Sequence, residues 1–202
     1  LVQPECLVVD SANVYWIDRS GSLYSADKTN VASPRLLSAG AYPAQVSGLA
    51  QDSASLYYTI REALPTASGD PARSFVGKIP KTGGAVVEIV GQAYFNQVYA
   101  DLRNSPRDDG SGGRNVFPTF TGIALKDGKL YVAGDPAGGS AIGTYSSTGP
   151  APVYPAPGYI FGSSTPDADR YVSVDSAYVY WTTSDSVRKA PLVGGQASNV
   201  QS

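Results

Sequence analysis

An eight-residue segment that occurs near both ends of the chain constrains the fold more than any other feature. Val9–Trp16 reads Val-Asp-Ser-Ala-Asn-Val-Tyr-Trp, and Val174–Trp181 repeats it with seven of the eight residues identical. Weaker copies are found at Gln51–Tyr58 and Lys126–Val132. Internal repeats indicate that one supersecondary unit is used several times, because each unit buries its apolar face against the next.

Each copy has the pattern of a β-hairpin. An alternating apolar segment such as Leu7–Val9 leads into a turn containing Asp, Asn or Gly, and a segment rich in Tyr, Trp and Val follows. Asp and Asn bond the nearby backbone and Gly tolerates positive φ, so these residues favour tight turns. A third segment and a shorter, more polar fourth segment complete the unit. The third segments are 22–26, 76–80, 141–145 and 186–190, and the fourth segments include 35–37 and 86–89.

The tyrosines of the second segments set the length of the unit. Successive intervals from Tyr15 to Tyr57, Tyr131 and Tyr180 are 42, 74 and 49 residues. Four antiparallel strands in about 40–50 residues are typical of a β-propeller blade. The sequence therefore predicts an all-β fold, a β-propeller of about four four-stranded antiparallel blades that form either a complete small ring or a partial propeller.

We expect a single domain over residues 1–202 with one insertion. The predicted blades are about 5–40, 44–91, 121–156 and 170–202, and the insertion covers about 92–120. Segment 93–98 resembles segment 41–46, which leaves a degenerate fifth blade as an alternative. Because the chain begins at Leu1 without a signal-peptide pattern, we expect a processed or excised product.

Two of the second strands carry a recognisable motif. Val14–Asp18 reads Val-Tyr-Trp-Ile-Asp and Val179–Thr183 reads Val-Tyr-Trp-Thr-Thr, and turns such as Lys81–Gly84 follow the next strand. These segments resemble the repeats of the YWTD family, which includes the six-bladed propeller of the low-density-lipoprotein receptor and many secreted bacterial propellers. The resemblance implies a secreted or cell-surface propeller with a protein or carbohydrate partner, but a fold does not identify a ligand. Four blades fall short of the family's six, so we also expect open blade edges that allow self-association.

Composition narrows the classes of function. The chain has no histidine, which excludes Ser-His-Asp catalysis and histidine-ligated zinc. Charged residues make up 16% with a net charge of -2 and no basic stripe, so nucleic acid is not an expected partner. No apolar run approaches the about 18 residues of a membrane span. We expect no catalytic residue, metal or cofactor, and a lactonase-like or lyase propeller enzyme is the alternative.

Two repeated features each have two interpretations. Asp10, Asp52 and Asp175 precede turns, and we interpret them as turn caps rather than as a ring of ligand-binding carboxylates. The aromatic pairs at 15–16, 57–58 and 180–181 are expected to pack between sheets rather than to form a platform for sugars.

Cys6 is the single cysteine of the chain. We interpret it as a small hydrophobic residue buried on the first strand, and the alternative is half of a disulfide whose partner lies outside this segment. A catalytic thiol would lack the histidine that usually activates it.

The insertion contains the candidate binding residues, because long insertions in rigid repeat scaffolds often carry binding surfaces. Segment 107–114 lacks the alternating Asp/Asn pattern of a calcium loop, so we interpret it as a solvated loop. The Pro-rich run 154–159 is a second candidate patch or a plain inter-blade connection. Aromatic and Arg side chains anchor interfaces best. The candidate binding residues are Tyr94, Phe95, Tyr99, Arg103, Arg107, Asp108, Asp109 and Arg114.

From these patterns we predict a secreted or cell-surface β-propeller that acts as a binding or scaffold module for a protein or carbohydrate partner. A structural segment of a larger extracellular assembly is the alternative within the same fold.

Overall fold

The structure is a computed structural model of the 202-residue chain. It describes residues 3–40, 44–62, 73–91, 119–135, 141–147, 160–161, 171–182, 186–193 and 198–200. The described residues form sixteen β-strands arranged in four antiparallel sheets of four strands each.

The strands of each sheet follow one another along the chain. Sheet 1 contains β1 (Pro4–Val9), β2 (Asn13–Asp18), β3 (Leu23–Asp27) and β4 (Asn30–Ser38). Sheet 2 contains β5 (Ala44–Gln51), β6 (Ser55–Glu62), β7 (Arg73–Pro80) and β8 (Val87–Val90). Sheet 3 contains β9 (Thr119–Lys126), β10 (Lys129–Asp135), β11 (Ala141–Ser146) and β12 (Ile160–Phe161). Sheet 4 contains β13 (Val172–Val174), β14 (Tyr178–Thr182), β15 (Val187–Pro191) and β16 (Ser198–Asn199).

The repeated tyrosines all lie on second strands. Tyr15, Tyr57, Tyr131 and Tyr180 belong to β2, β6, β10 and β14, and each of these strands pairs with the first and the third strand of its sheet. The strand order and the repeat are therefore as predicted.

Three core clusters hold neighbouring sheets together. The cluster between sheets 1 and 2 includes Ile17 and Leu23 from one side and Leu56 and Ile79 from the other. A second cluster joins sheets 2 and 3, and a third joins sheets 3 and 4. Side chains alternate along each strand, so a sheet in the middle of the stack can contribute to two clusters, one on each face.

The first strands of the sheets lie side by side in chain order. β1 neighbours β5, β5 neighbours β9, and β9 neighbours β13, as the innermost strands of propeller blades do. The described sheets do not close into a ring, so the fold is that of a partial β-propeller and the predicted fold class is confirmed.

Two details differ from the sequence-based expectation. β4 has nine residues and is the longest strand of sheet 1, although the fourth strand was expected to be shorter. Register shifts in its pairing with β3 show that it bends, and such irregularity hides the alternation that predicts a strand. In sheet 3, β9 starts at Thr119 and β12 lies at 160–161, so its strands extend beyond 121–156 at both ends.

The turn between β9 and β10 shows why the third copy of the repeat diverges. Asp127 and Gly128 both have positive φ, at 50° and 71°, which is the conformation of a type I′ hairpin turn. By strand register, Lys126 occupies the position that Asp10 has in sheet 1.

In the described parts of the chain, no helix has the length and hydropathy needed to cross a membrane.

Candidate functional site

The repeated aspartates cap the turns between the first and second strands. In each case one carboxylate oxygen accepts hydrogen bonds from the backbone amides two and three residues further on. For Asp10 these donors are Ala12 and Asn13, at 2.9 and 2.8 Å. Asp52 and Asp175 bond the equivalent amides at 2.6–2.8 Å. The prediction of turn caps is confirmed, since the carboxylates are directed at their own turns.

A tyrosine hydroxyl completes each cap. Tyr15, Tyr57 and Tyr180 donate to the second oxygen of the aspartate five residues earlier, at 2.9, 2.7 and 2.8 Å. Sequence reasoning missed this bond, although the constant spacing of five residues in three copies was the signal for it. The tyrosine thus links the turn to the face of the sheet that packs against the next sheet.

The pKa values of these groups follow from the bonds. A hydrogen bond from Lys81 and bonds from the backbone amides hold the pKa of Asp10 well below its usual range. Hydrogen bonds from the backbone amides of Ala177 and Tyr178, and from the hydroxyl of Tyr180, lower the pKa of Asp175. The bond to Asp175, together with burial, raises the pKa of Tyr180. The carboxylates are therefore charged acceptors at neutral pH.

A lysine joins sheets 1 and 2 at this cap. Lys81, which follows the third strand of sheet 2, places its Nζ 2.9 Å from Oδ2 of Asp10 and 5.0 Å from the centre of the Tyr15 ring. Only 11% of the lysine side chain is exposed, so the contact is largely shielded from solvent. This ion pair and cation–π contact bridge the two sheets.

The two end sheets of the stack each have one face that no described sheet covers. Tyr15 and Ile17 of sheet 1 enter the core, so the alternating Leu7 and Trp16 lie on the opposite face, called here the first outer face. Val179 and Trp181 of sheet 4 enter the core, so Tyr180 and its neighbours lie on the second outer face.

The first outer face is apolar and aromatic. One row crosses all four strands in register, from Leu7 through Trp16 and Tyr24 to Leu36. The rings of Trp16 and Tyr24 stack with their centroids 5.5 Å apart. Leu7 and Leu36, at the two ends of the row, are 60% and 52% exposed. An exposed apolar surface of this kind is typical of an interaction site.

The second outer face is aromatic and charged. Tyr180 is in register with Ser173 on one side and Lys189 on the other. Tyr178 lies 6.2 Å from Tyr180 between ring centroids, and the Nζ of Lys189 lies 4.9 Å from the centre of the Tyr178 ring. Asp175 lies at the edge of this face and accepts a hydrogen bond from the Tyr180 hydroxyl.

Both aromatic rings of a pair pack between sheets, as predicted, only in sheet 2, which has a neighbouring sheet on each face. Tyr57 and Tyr58 are both buried, one in each of the two clusters that flank sheet 2. At the ends of the stack, Trp16 and Tyr180 lie on the outer faces instead, which the sequence reasoning did not foresee because it treated each pair alike.

Cys6 is free and partly buried, and it packs against the cluster between sheets 1 and 2. Burial, and to a smaller extent the charge of Glu5, raises the pKa of its thiol to about 11. Its predicted role as a small hydrophobic residue agrees with this position.

All eight predicted binding residues lie outside the described residues, as does the Pro-rich run 154–159. The eight residues are Tyr94, Phe95, Tyr99, Arg103, Arg107, Asp108, Asp109 and Arg114. Their role stays a prediction. Among the residues that the structure does describe, no group of three or more Cys, Asp or Glu side chains is arranged to hold a metal ion.

No protein-family model matches the sequence, and no curated protein matches it as a relative. Solved structures share its fold at low identity. One is the crystal structure of a nidogen/laminin complex, whose nidogen part is a YWTD β-propeller; its TM-score is 0.62 at 13% identity, over 94% of this chain and 60% of that chain. Another is the major allergen Mala s 1 of Malassezia sympodialis, with a TM-score of 0.60 at 16% identity, over 97% of this chain and 62% of that chain. The chain thus spans about three fifths of the length of these two solved chains.

Proposed function

We propose that this chain is a YWTD-type propeller scaffold, secreted or at the cell surface, that binds a protein partner through its first outer face. The observation that carries the proposal is the row Leu7, Trp16, Tyr24 and Leu36, which presents apolar and aromatic side chains on one face of the sheet. Aromatic residues in such a patch are typical anchors of protein interfaces.

Three further points support a protein rather than a carbohydrate partner. Both ends of the row are aliphatic, whereas sugar-binding faces need polar groups beside the aromatic rings. The row spans the full width of a four-stranded sheet, which suits a second sheet packed against it. The nidogen structure is that of a propeller in a protein complex.

Site-specific photocrosslinking tests the proposal. A benzophenone amino acid replaces Leu7 on the face, and in a matched control it replaces Val193, which is 97% exposed on a turn of sheet 4 away from the face. Irradiation in the organism that makes the protein is expected to give a discrete protein adduct from position 7 and none of that size from position 193.

The pattern of adducts decides between the alternatives. An adduct whose mass returns to that of the chain alone on enzymatic deglycosylation would indicate a carbohydrate partner and contradict the proposal. Equal adducts from both positions, or none from position 7, would also contradict it.

A further inference from the structure

The contact between sheets 1 and 2 shows which side chains meet when two sheets of this chain pack, and it serves here as a template for what each outer face could bind. Its acceptor half is the Asp10–Tyr15 pair of sheet 1, and its donor half is Lys81 of sheet 2, bonded at 2.9 Å and largely buried. On the same face of sheet 2, Leu49 and Tyr58 belong to the core cluster between the two sheets.

The second outer face repeats the acceptor half. Asp175 and Tyr180 have the same bonds as Asp10 and Tyr15, at 2.7–2.9 Å in both pairs. No lysine of the described residues is bonded to Asp175 in the way that Lys81 is bonded to Asp10. The face therefore presents a charged carboxylate and a tyrosine ring without a bonded cation, although the charge of Lys126 also contributes to the lowered pKa of Asp175.

The second outer face also repeats a donor from the contact between sheets 2 and 3. There Lys78, in register with Tyr57, donates from its Nζ to the carbonyl oxygen of Ser147 at 2.9 Å. Lys189 is in register with Tyr180 in the same way. Its Nζ lies over the ring of Tyr178 in the single chain, so a sheet docked on this face would have to draw it from that ring to the residue that follows its third strand.

The first outer face repeats the donor half. Lys28 follows the third strand of sheet 1 as Lys81 follows that of sheet 2, and the backbone amide of each donates to the alanine carbonyl of the first turn, at 3.0 and 2.8 Å. Lys28 is exposed. By register, Leu7 and Trp16 occupy the positions of Leu49 and Tyr58, so the apolar pair that packs against sheet 1 from sheet 2 is repeated on this face.

The other two contacts between described sheets do not have both halves, although Asp52 and Tyr57 repeat the acceptor half on the face of sheet 2 that packs against sheet 3. Lys126 occupies the position of the capping aspartate in sheet 3, and Ser147 and Leu192 follow the third strands of sheets 3 and 4. Complementary charge is therefore found at the contact between sheets 1 and 2, and again between the two outer faces of the stack.

We propose that the first outer face of one chain docks on the second outer face of a second copy, with Lys28 of one chain bonded to Asp175 of the other and lying over its Tyr180. This inference rests on the proposed function, since it names the partner of the same face. The contact is heterologous, because two different surfaces meet. If both ends of each copy engage, the described sheets of two chains, eight in all, close a ring, which lies within the range of about four to eight blades known for propellers.

Sedimentation velocity tests the proposal on the full chain. The wild-type protein is expected to form a dimer as its concentration rises from about 1 to about 100 µM. Lys28→Glu replaces attraction to Asp175 by repulsion, and it is expected to raise the dimer Kd by at least about tenfold. The matched control is Lys129→Glu, which changes the net charge equally at the exposed first residue of β10 in sheet 3 and is expected to dimerise as the wild type does.

A second variant separates association from folding. Asp175→Asn keeps an acceptor for the amides of the turn but removes the charge, so it should also weaken the dimer while the far-UV circular dichroism stays unchanged. Mixing the Lys28→Glu and Asp175→Asn chains restores one intact contact, and a heterodimer weaker than the wild-type dimer is expected.

A wild-type chain that stays monomeric over this range would overturn the inference, and so would a dimer that Lys28→Glu leaves unchanged. A crosslink from position 7 to a different protein, found together with a monomeric chain, would overturn self-association and leave the proposed function standing. Loss of all crosslinks from position 7 would overturn the proposed function as well.

Discussion

Replacing Leu56 by alanine tests whether sheets 1 and 2 pack as neighbouring blades. Leu56 is 0% exposed and contacts the cluster to which both sheets contribute. The change removes three carbon atoms, worth about 2.4 kcal/mol at about 0.8 kcal/mol each. Both sheets are held by their own hydrogen-bond ladders, so the site cannot collapse freely, and the remaining cavity adds about 1 kcal/mol. We expect the free energy of unfolding to fall by about 3.5 kcal/mol.

Equilibrium unfolding in urea measures this loss. The two tryptophans of the chain, Trp16 and Trp181, report on sheets 1 and 4, at opposite ends of the stack. Fluorescence and circular dichroism transitions that coincide justify a two-state treatment. With an m-value of about 2–3 kcal/mol/M, the midpoint should move by about 1–2 M.

Leu7→Ala is the matched control, because it makes the same chemical change at a leucine that is 60% exposed. At protein concentrations where the chain is monomeric, it should cost less than about 0.5 kcal/mol. A loss below about 1 kcal/mol for Leu56→Ala, or equal losses for the two variants, would refute the packing described between the sheets.

Three other predictions follow from single sites. Gly77→Ala should destabilise the chain by about 1–3 kcal/mol in the same assay, because the new Cβ would lie 2.5 Å from the buried ring of Tyr58; an unchanged midpoint would show that the ring can move. Since the pKa of Cys6 is raised from 9.0 to about 11, its alkylation by iodoacetamide at pH 8 should be about 100-fold slower than in the urea-unfolded chain. The alkylation rate should then rise about tenfold per pH unit up to pH 10, and a plateau near pH 9 would contradict this. Burial alone would raise the pKa of Asp52, but bonds from the Tyr57 hydroxyl and two backbone amides outweigh it and lower the pKa. That stabilisation is complete above about pH 4 and is lost as the pH falls through the lowered pKa, so Asp52→Asn should flatten the decrease of Tm on acidification, and parallel Tm profiles would count against it.

The repeat was sufficient to predict the strands and their order within each sheet. Seven identical residues at Val9–Trp16 and Val174–Trp181 marked the same hairpin twice, and alternation placed the flanking strands. Strands without a visible alternation of apolar and polar residues were harder to predict from the sequence. β12 and β16 have two residues each, too few for a period of two to be visible, and β4 is bent by register shifts.

The candidate site was harder to predict than the fold. Turn capping by Asp10 and its equivalents was foreseen from residue type, because the bond is local. The partnership of Lys81 with Asp10 joins residues 71 positions apart and depends on how two sheets are placed, which no local pattern encodes. For the same reason, the exposed row from Leu7 to Leu36 emerged only once the ends of the stack were known.

Among the described residues, the three core clusters join each sheet only to its neighbours along the chain, which makes this part of the fold a linear array. In such arrays, stability is roughly the sum of the intrinsic term of each unit and one coupling term per interface. Sheets 2 and 3 have two coupling terms each, whereas sheets 1 and 4 have one. Amide protons of the end sheets should therefore exchange first, by fraying that leaves the middle of the array intact. A partner bound at one end would supply the missing coupling and slow exchange most in the sheet it covers, with progressively less effect along the array.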